Sequence, residues 1–289
     1  MNGVLNIDKP AGMTSHDVVA RVRRVAKIKR VGHAGTLDPD ATGVLLVCLG
    51  TATRLSDYLA DEGKAYAAML ALGATTTTED ASGEVLTQTD AGHLTRAELE
   101  AILPSFIGDI QQIPPMVSAV HHEGKRLYEL ARAGITVKRQ ARTIRIDALT
   151  LGDFTPGALA TATLTVECGK GTYIRTLCAD LGAALGVGGH MATLRRTRVG
   201  AFTADAAVPL DALTLETLPG LLTTPADALG RLPSHTATDA EREDIAHGRA
   251  LVSGLPAETV ARVLGMDRTL LALARADGER LHPFKVFPS

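Results

Sequence analysis

The chain has 289 residues, of which 45% are apolar and 3% aromatic, and its formal net charge is −2. This length allows one large domain with a small second one, and the apolar content is enough for a sizeable core of Leu, Val and Ala. The near-neutral charge argues against non-specific polyanion binding by the whole molecule. Because no apolar run reaches membrane-spanning length and the N-terminus lacks a signal-peptide pattern, we expect a cytoplasmic protein without a membrane partner.

The cysteines and histidines give no sign of a metal site. Cys48, Cys168 and Cys178 lie in apolar segments without C-x-x-C spacing, which predicts reduced thiols in the core of a cytoplasmic protein. The nine histidines also lack the spacing of metal ligands. We therefore expect no metal site.

The N-terminal part of the chain contains apolar strands and capped helices. Thr14 or Ser15 can cap one helix, and Thr95 with Glu98 forms a capping box at the start of another. In chain order we predict a strand at 3–7, a helix from 14 or 15 to about 28, a strand at 44–49, a helix near 53–62, a strand at 66–72, a polar turn at 75–83 and a helix from 95 to about 107.

After residue 107 the composition of the chain changes at two points. Residues 108–139 contain a Pro-Pro pair and several basic side chains, which is typical of an inserted segment that can close over a ligand. We then predict strands at 143–151 and 159–168, a helix over about 173–185, and a break near Pro233 that begins a small unit of short apolar runs. Because strands and helices do not alternate regularly, an α+β fold is favoured over a parallel doubly wound sheet.

Residues 32–45 hold the most informative side chain, Asp38. It lies in a loop rich in Gly, Pro and Thr, directly before the apolar run 44–49. Pro39 fixes the backbone after Asp38, while Gly35 and Gly43 allow conformations that other residues avoid. A polar loop beside a buried strand can present a reactive side chain rigidly, although an isolated Asp-Pro is more often a solvated turn.

Two other motifs overlap this loop. The run Asp38-Pro39-Asp40-Ala41-Thr42 spells the D-x-D-x-T pattern of aspartate-nucleophile phosphotransferases. Those enzymes need a strand before the first Asp, and residues 33–37 make a poor one, so phosphotransfer remains only as an alternative. A calcium loop beginning at Asp38 would require Glu at its twelfth position, where Leu49 stands, and is rejected.

Basic residues concentrate in three short stretches. Any one of them alone would be read as a solvated face. Because all three flank the candidate motifs of a slightly acidic chain, together they predict a local track for phosphates. The stretches hold Arg21, Arg23, Arg24, Lys27, Lys29 and Arg30; Lys138, Arg139, Arg142 and Arg145; and Arg195, Arg196 and Arg198. The candidate phosphate contacts are Arg21, Arg24, Lys27, Arg30, Lys138, Arg139 and Arg142.

Besides the Asp38 loop, four motifs occur in a fixed order. They are Lys9-Pro10-Ala11-Gly12-Met13-Thr14-Ser15, Lys64-Ala65-Tyr66, Gly171-Thr172-Tyr173-Ile174-Arg175-Thr176-Leu177, and Gly189-His190 to Leu194-Arg195-Arg196. Together they resemble the motifs of the TruB-type tRNA pseudouridine synthases. The resemblance runs from Gly3 to about Phe202 and is weaker beyond.

This resemblance implies an isomerase that converts the T-loop uridine at position 55 of tRNA to pseudouridine without a cofactor. The N1–C1′ bond breaks and C5 joins C1′, so the reaction needs a carboxylate and a base for the C5 proton. The family's catalytic Asp aligns with Asp38, its paired arginine with Arg175, and the tyrosine that stacks on the uracil with Tyr66. We expect Arg175 to keep Asp38 ionised and to lower its pKa.

The same resemblance assigns four residues to substrate binding. His33 aligns with the residue that fills the space left by the extruded base. Leu194 aligns with an apolar residue packed on the uracil, Asp80 lies in the polar loop after the tyrosine strand, and Tyr173 belongs to the arginine motif. The chain departs from the family in the inserted segment, where Val117 and His121 replace the usual Tyr and Lys.

The implied architecture is the pseudouridine synthase α+β sheet over residues 1–231, with a thumb-like insertion at about 108–139. A PUA-like β-barrel over 232–289 would contact the acceptor stem of tRNA while the larger domain takes the T stem-loop. We expect a monomer whose partner is tRNA. The alternative from another class is a catalytically silent RNA-binding or RNA-chaperone protein on the same scaffold, against which the intact Asp38, Tyr66 and Arg175 argue.

Overall fold

The computed structural model describes residues 1–118, 120–122 and 124–287. In chain order the strands of this part are β1 (Gly3–Lys9), β2 (Val31–His33), β3 (Thr42–Leu49), β4 (Lys64–Leu72), β5 (Ala74–Thr76), β6 (Val85–Gln88), β7 (Gly108–Gln112), β8 (His121–His122), β9 (Lys125–Arg126), β10 (Arg142–Thr155), β11 (Thr161–Cys168), β12 (Gly189–Val199), β13 (Phe202–Thr203), β14 (Val208–Pro209), β15 (Ser234–Thr236), β16 (Leu251–Val252), β17 (Val260–Leu264), β18 (Leu270–Ala276) and β19 (Arg280–Val286).

The described residues form fewer α-helices than strands. The helices are α1 (Ser15–Ala26), α2 (Ser56–Ala60), α3 (Arg96–Ile102), α4 (Leu127–Arg132), α5 (Ile174–Ala184), α6 (Leu218–Leu221), α7 (Pro225–Ala228) and α8 (Asp239–Ala246). Three 3-10 turns cover Gly50–Leu55, Leu103–Phe106 and Leu210–Ala212.

A large mixed sheet organises the chain. Its strands lie in the order β14-β1-β3-β12-β4-β11-β10-β7, with β2 beside β3 and β13 beside β12. The pairs β1–β14 and β3–β12 are parallel, whereas β12–β4, β4–β11 and β11–β10 are antiparallel. A second sheet has the order β15-β17-β18-β19-β16. The predicted α+β class, with one large sheet and a small C-terminal β unit, is confirmed.

The two faces of the large sheet are covered differently. Alternate residues of β3 point to opposite sides, as strand geometry requires. Leu45 and Val47 join a core with α1 and α5, while Leu46 and Cys48 join a second core with Leu270, in β18. The C-terminal sheet therefore packs against the back of the large sheet and shares a core with it.

The predicted helix starts are more accurate than the predicted helix ends. Thr14 caps α1 and Thr95 caps α3, each through a capping box. The first helix ends at Ala26, since Lys27 adopts a left-handed conformation. The predicted end of α3 near residue 107 is wrong, because a 3-10 turn containing Pro104 follows Ile102.

Two other predictions on local structure need comment. The helix predicted near 53–62 is a 3-10 turn followed by the short α2. The sequence pattern assigned no strand to residues 189–199, yet β12 lies at the middle of the large sheet.

The three cysteines are buried and free, as predicted. Within the described ranges, no helix is long and apolar enough to cross a membrane.

Candidate active site

A pocket of about 300 Å³ opens at the centre of the large sheet. Segments that are far apart in sequence form its walls: the Asp38 loop, the start of β4, residues 117–118, the turn from β11 into α5, and β12. Its lining includes Thr36, Leu37, Asp38, Lys64, Tyr66, Val117, Ser118, Tyr173, Ile174, Arg175, Leu194 and Arg196. The structure thus brings Asp38, Tyr66, Arg175, Tyr173 and Leu194 together, as the motif order implied.

The Asp38 loop is held from its N-terminal side by two buried side chains. The ammonium group of Lys9 donates to the carbonyl oxygens of Pro10, Met13 and Pro39 at 2.8, 2.6 and 2.8 Å. The hydroxyl of Ser15 donates to the carbonyl of Leu37 and accepts from its N–H. These bonds fix the backbone on both sides of Asp38, which lets the loop hold a carboxylate in one place.

A second buried cation, Arg196 in β12, holds the loop from the sheet side. Its guanidinium donates to the carbonyls of Val44, Thr36 and Gly35 at 2.7, 3.3 and 3.1 Å. Only 1% of this residue is exposed. The predicted surface track for phosphates is therefore wrong for Arg196, because its guanidinium is buried beside the pocket and bonded to carbonyls.

Asp38 forms an ion pair with Arg175 at the base of the pocket. The Arg175 Nε lies 3.0 Å from Asp38 Oδ2, and its Nη1 lies 3.6 Å from Asp80 Oδ2. Two carbonyls, from Thr78 and Val117, accept from the same guanidinium at 3.1 and 2.8 Å. The arginine side chain is 5% exposed, so its direction is fixed by these partners.

Asp80 is itself held by its own turn. Its Oδ1 accepts from the Thr78 hydroxyl at 2.6 Å and from the Ser82 N–H at 3.0 Å. The other oxygen is left facing Arg175. Asp80 therefore does not line the pocket but supports the arginine that does.

The pKa of Asp38 moves in the direction opposite to our expectation. Burial at the pocket floor raises the pKa of the Asp38 carboxyl, and the nearby Asp80 charge raises it further, while Arg175 opposes this rise and does not cancel it. The side chain is 40% exposed, but its open side faces the pocket interior. Desolvation outweighs the ion pair here because one arginine serves two carboxylates and two carbonyls.

Tyr66 lies on β4 beside Arg196. It is 7% exposed and contributes to the pocket wall. Burial raises the pKa of the Tyr66 hydroxyl, and Arg196 opposes this effect through its charge and a hydrogen bond. Leu194 occupies the next inward position of β12, opposite Ala68.

The backbone of Tyr173 is fixed at the start of α5. Its N–H donates to Gln112 Oε1 at 2.8 Å, and its carbonyl accepts from Gln112 Nε2 at 3.0 Å. This two-way contact ties the arginine motif to the edge strand β7. It also orients the first turn of α5, which carries Arg175 into the pocket.

His33 lies outside the pocket lining. Its ring makes an edge contact with His16 at 5.1 Å between centroids, and its Nδ1 is buried without a partner. Burial, with the His16 charge, lowers the pKa of His33 to about 4. The imidazole is therefore neutral near pH 7, a state that favours stacking on bases over binding to phosphate.

The remaining basic candidates lie at the surface, with one exception. Arg21, Arg24, Lys27, Arg30, Lys138 and Arg142 are exposed, and Arg139 is half-buried. Arg139 donates to the carbonyl of Pro114 at 3.0 Å. In the third stretch, Arg195 pairs with Asp8 and Arg198 with Glu167, so these charges are already compensated.

Sequence reasoning assigned no site role to Lys9 or Lys64, and it gave Arg196 only a place in the third basic stretch. Lys64 lines the pocket, and burial lowers its pKa to about 8. The sequence contained one indication that Arg196 belongs to the site. Residues two apart on a strand lie on the same face, and Leu194 was expected to face the substrate. Across the described ranges, no group of three or more His, Cys, Asp or Glu side chains could hold a metal.

Two family models match consecutive parts of the chain. The model described as "TruB family pseudouridylate synthase (N terminal domain)" matches residues 23–174. The model described as "tRNA pseudouridylate synthase B C-terminal domain" matches residues 175–219. The boundary between them falls between Ile174 and Arg175, inside the pocket wall.

Relatives of similar length carry one common name. The tRNA pseudouridine synthase B of Symbiobacterium thermophilum is 50% identical over 86% of this chain and 83% of that protein. The protein of the same name from Thermobifida fusca is 45% identical over 99% of this chain and 98% of that protein.

Solved structures extend the similarity to the fold. A Cbf5–Nop10–Gar1 complex contains a chain with a TM-score of 0.75 and 27% identity, over 99% of this chain and 85% of that one. A chain of an H/ACA ribonucleoprotein bound to a substrate RNA containing 2′-deoxyuridine has a TM-score of 0.75 and 25% identity. The match covers 99% of this chain and 85% of that one.

Proposed function

This chain belongs to the TruB family of pseudouridylate synthases, and we propose that it isomerises the T-loop uridine at position 55 of tRNA to pseudouridine. The observation that carries the proposal is the Asp38–Arg175 ion pair at the base of a pocket that also holds Tyr66. The names of the relatives, tRNA pseudouridine synthase B, support tRNA as the substrate.

The proposed chemistry uses three side chains and conserves all atoms of the substrate. Asp38 supplies the nucleophile or charge stabiliser as the N1–C1′ bond breaks. The uracil turns, C5 bonds to C1′, and the C5 proton passes to Tyr66 while N1 gains a proton from solvent. Arg175 orients the Asp38 carboxylate, since its Nε contacts one of the two carboxylate oxygens.

Substrate contacts follow from the shape of the pocket. A uracil that enters it would lie between Tyr66 and Leu194, with the first turn of α5 and Tyr173 at its edge. The base must leave its stack before Asp38 can reach the sugar, and His33 would occupy the vacated space. Asp80 acts through Arg175 in this proposal.

The wider RNA surface is proposed from exposed charge. Arg21, Arg24, Lys27 and Arg30 on and after α1, with Lys138, Arg139 and Arg142 before β10, would follow the phosphates of the T stem-loop. We assign residues 1–231 to the catalytic domain with its insertion at 108–139, and residues 232–289 to a PUA-like unit that contacts the acceptor stem. We propose that the protein acts as a monomer.

The central experiment compares two substitutions in the same loop. Unmodified tRNA transcript is incubated with the enzyme, and pseudouridine is mapped by position. Asp38→Asn should abolish the product while tRNA binding survives, because an amide retains the shape and cannot act as a nucleophile. Asp40→Asn is the matched control, since Asp40 is exposed and should be dispensable to a synthase.

The same pair of variants separates the alternatives. A D-x-D-x-T phosphotransferase would need both aspartates and magnesium, so loss of activity in Asp40→Asn and in excess EDTA, with tRNA folding intact, would favour that reading. Tight tRNA binding by the native chain without any pseudouridine would favour the silent RNA-binding protein.

The acceptor-stem contact is best tested without truncation. Removing residues 232–289 would expose Leu46 and Cys48, which pack on Leu270 in the shared core, so a deletion would confuse folding with binding. Replacing the exposed Arg268 and Arg280 by Ser should weaken binding of whole tRNA and leave an isolated T stem-loop unaffected. Equal loss for both RNAs would contradict the assignment.

A further inference from the structure

Arg196 lies between two groups assigned to catalysis, Tyr66 and the Asp38 loop. In the strand register it lies opposite Tyr66 on one side and Gly43 on the other. A Cβ at Gly43 would lie 2.2 Å from the Arg196 carbonyl oxygen, so β3 and β12 approach closely at this residue. The guanidinium is among the largest fully buried side chains of the described residues.

The charge of Arg196 has no carboxylate partner among the ion pairs of the described residues. Its three acceptors are the carbonyls of Val44, Thr36 and Gly35. Carbonyl dipoles stabilise a cation without neutralising it, and burying an uncompensated charge is costly. A buried cation of this kind keeps its full charge available for a neighbouring group.

That neighbour is the Tyr66 hydroxyl. The other ionisable groups that act on it are the Cys168 thiol and the Asp38 carboxylate. Burial raises the pKa of Cys168 to about 11, so the thiol is neutral near pH 7. Asp38 disfavours a phenolate, and the more distant Lys64 donates to the carbonyls of Ala60 and Glu62.

We propose that Arg196 is a positioning residue for the isomerisation: it fixes the backbone of the Asp38 loop and stabilises negative charge on the Tyr66 oxygen during transfer of the C5 proton. The inference rests on the proposed function. Tyr66 first gives its hydroxyl proton to solvent and becomes a phenolate. The C5–H bond then breaks, its electron pair forms the C5–C6 double bond of the uracil, N1 takes a proton from solvent, and the phenolate oxygen of Tyr66 receives the C5 proton, which restores the hydroxyl.

The test measures Tyr66 directly in the free enzyme. The chain has four tyrosines and no tryptophan, so phenolate absorbance near 295 nm is readable, and subtraction of the Tyr66→Phe titration isolates Tyr66. We expect Arg196→Met to raise the pKa of Tyr66 by about one unit or more, because an adjacent opposite charge is lost. Arg196→Lys keeps a cation and should shift it less.

Single-turnover rates of tRNA modification, measured against pH, supply the second readout. The alkaline rise of the rate, which reports Tyr66 and lies above the acid limb set by Asp38, should move upward in Arg196→Met by the same amount as the Tyr66 pKa. A one-unit shift corresponds to a rate about tenfold lower on that limb. Affinity for tRNA should stay within about twofold. Arg96→Met is the matched control, since Arg96 also donates to two carbonyls, of Leu151 and Gly152, at the surface.

The two readouts separate the possible failures. An unchanged Tyr66 pKa in Arg196→Met, or a rate reduced equally at all pH values, would overturn the proposal and leave Arg196 a structural residue. If Arg196→Met does not fold, Arg196→Gln removes the same charge, and the Tyr66 titration in that variant decides. Full activity of Asp38→Asn would refute the proposed function instead, without bearing on the titration.

Discussion

Replacement of Arg175 by Met should move the acid limb of the pH–rate profile upward. In the native site Asp38 must be ionised to act, and the rate should rise as its carboxyl loses a proton. Arg175 is the cation that opposes the raised pKa of Asp38. Without Arg175, desolvation and the charge of Asp80 raise the pKa of Asp38, and Lys9 is the remaining charge that lowers it.

The size of the shift follows from the contact. An opposite charge at 3.0 Å lowers a carboxyl pKa by about 1–3 units. Because Asp38 is 40% exposed, solvent screens part of this interaction, and we expect the lower half of that range. The acid limb should therefore move up by about 1–2 units, and each unit lowers the rate about tenfold at a pH on that limb.

The assay is release of tritium from C5-labelled uridine in tRNA, in single turnover between pH 5 and 8. Arg175→Lys separates charge from geometry, since an ammonium cannot reach Asp38, Thr78 and Val117 together. The acid limb of the Arg175→Lys profile should stay near its native pH, while the rate above that limb should fall. Arg96→Met is the control, because the exposed Arg96–Glu100 pair should not affect the profile. An acid limb that does not move in Arg175→Met would refute the reasoning.

Three further outcomes are expected. Tyr66→Phe should lower the single-turnover rate far more than tRNA affinity, because stacking area is retained and the proton acceptor is lost; equal losses would make the hydroxyl a binding group. Replacing Arg21 and Arg24 together by Ser should reduce the slope of log affinity against log salt, whereas an unchanged slope would leave them as solvated charges. Gly43→Ala should reduce the free energy of unfolding in urea by about 2–5 kcal/mol, since its φ of +97° and the 2.2 Å approach to Arg196 both resist a Cβ. Gly186→Ala, with φ +75° and open space, should lose only about 1–2 kcal/mol, and similar losses would contradict the close-approach argument.

Several features of this protein could be read from neighbouring residues alone. The capping boxes at Thr14 and Thr95 form within four residues, so their helix starts were predictable. The motifs that contain Asp38, Tyr66 and Arg175 indicated the family, and these three side chains line one pocket. These features depend on short segments whose conformation or alignment does not require the rest of the chain.

The pairing of strands depends on contacts between segments that are distant in sequence. Nothing local places β12 between β3 and β4, parallel to one and antiparallel to the other. The strand escaped prediction because its inward face carries Arg196, and an inward charge breaks the apolar alternation that marks a strand. Contacts with the carbonyls of the distant Gly35, Thr36 and Val44 make that position favourable for a cation.

The electrostatics of the site also required the tertiary structure. The sequence correctly paired Asp38 with Arg175 but predicted the wrong direction for the Asp38 pKa. A motif names the neighbours of a carboxylate, whereas its pKa depends on how much water is excluded and on every other charge nearby. Here Asp80 shares the arginine, and that sharing exists only once the polar loop, α5 and the Asp38 loop have met.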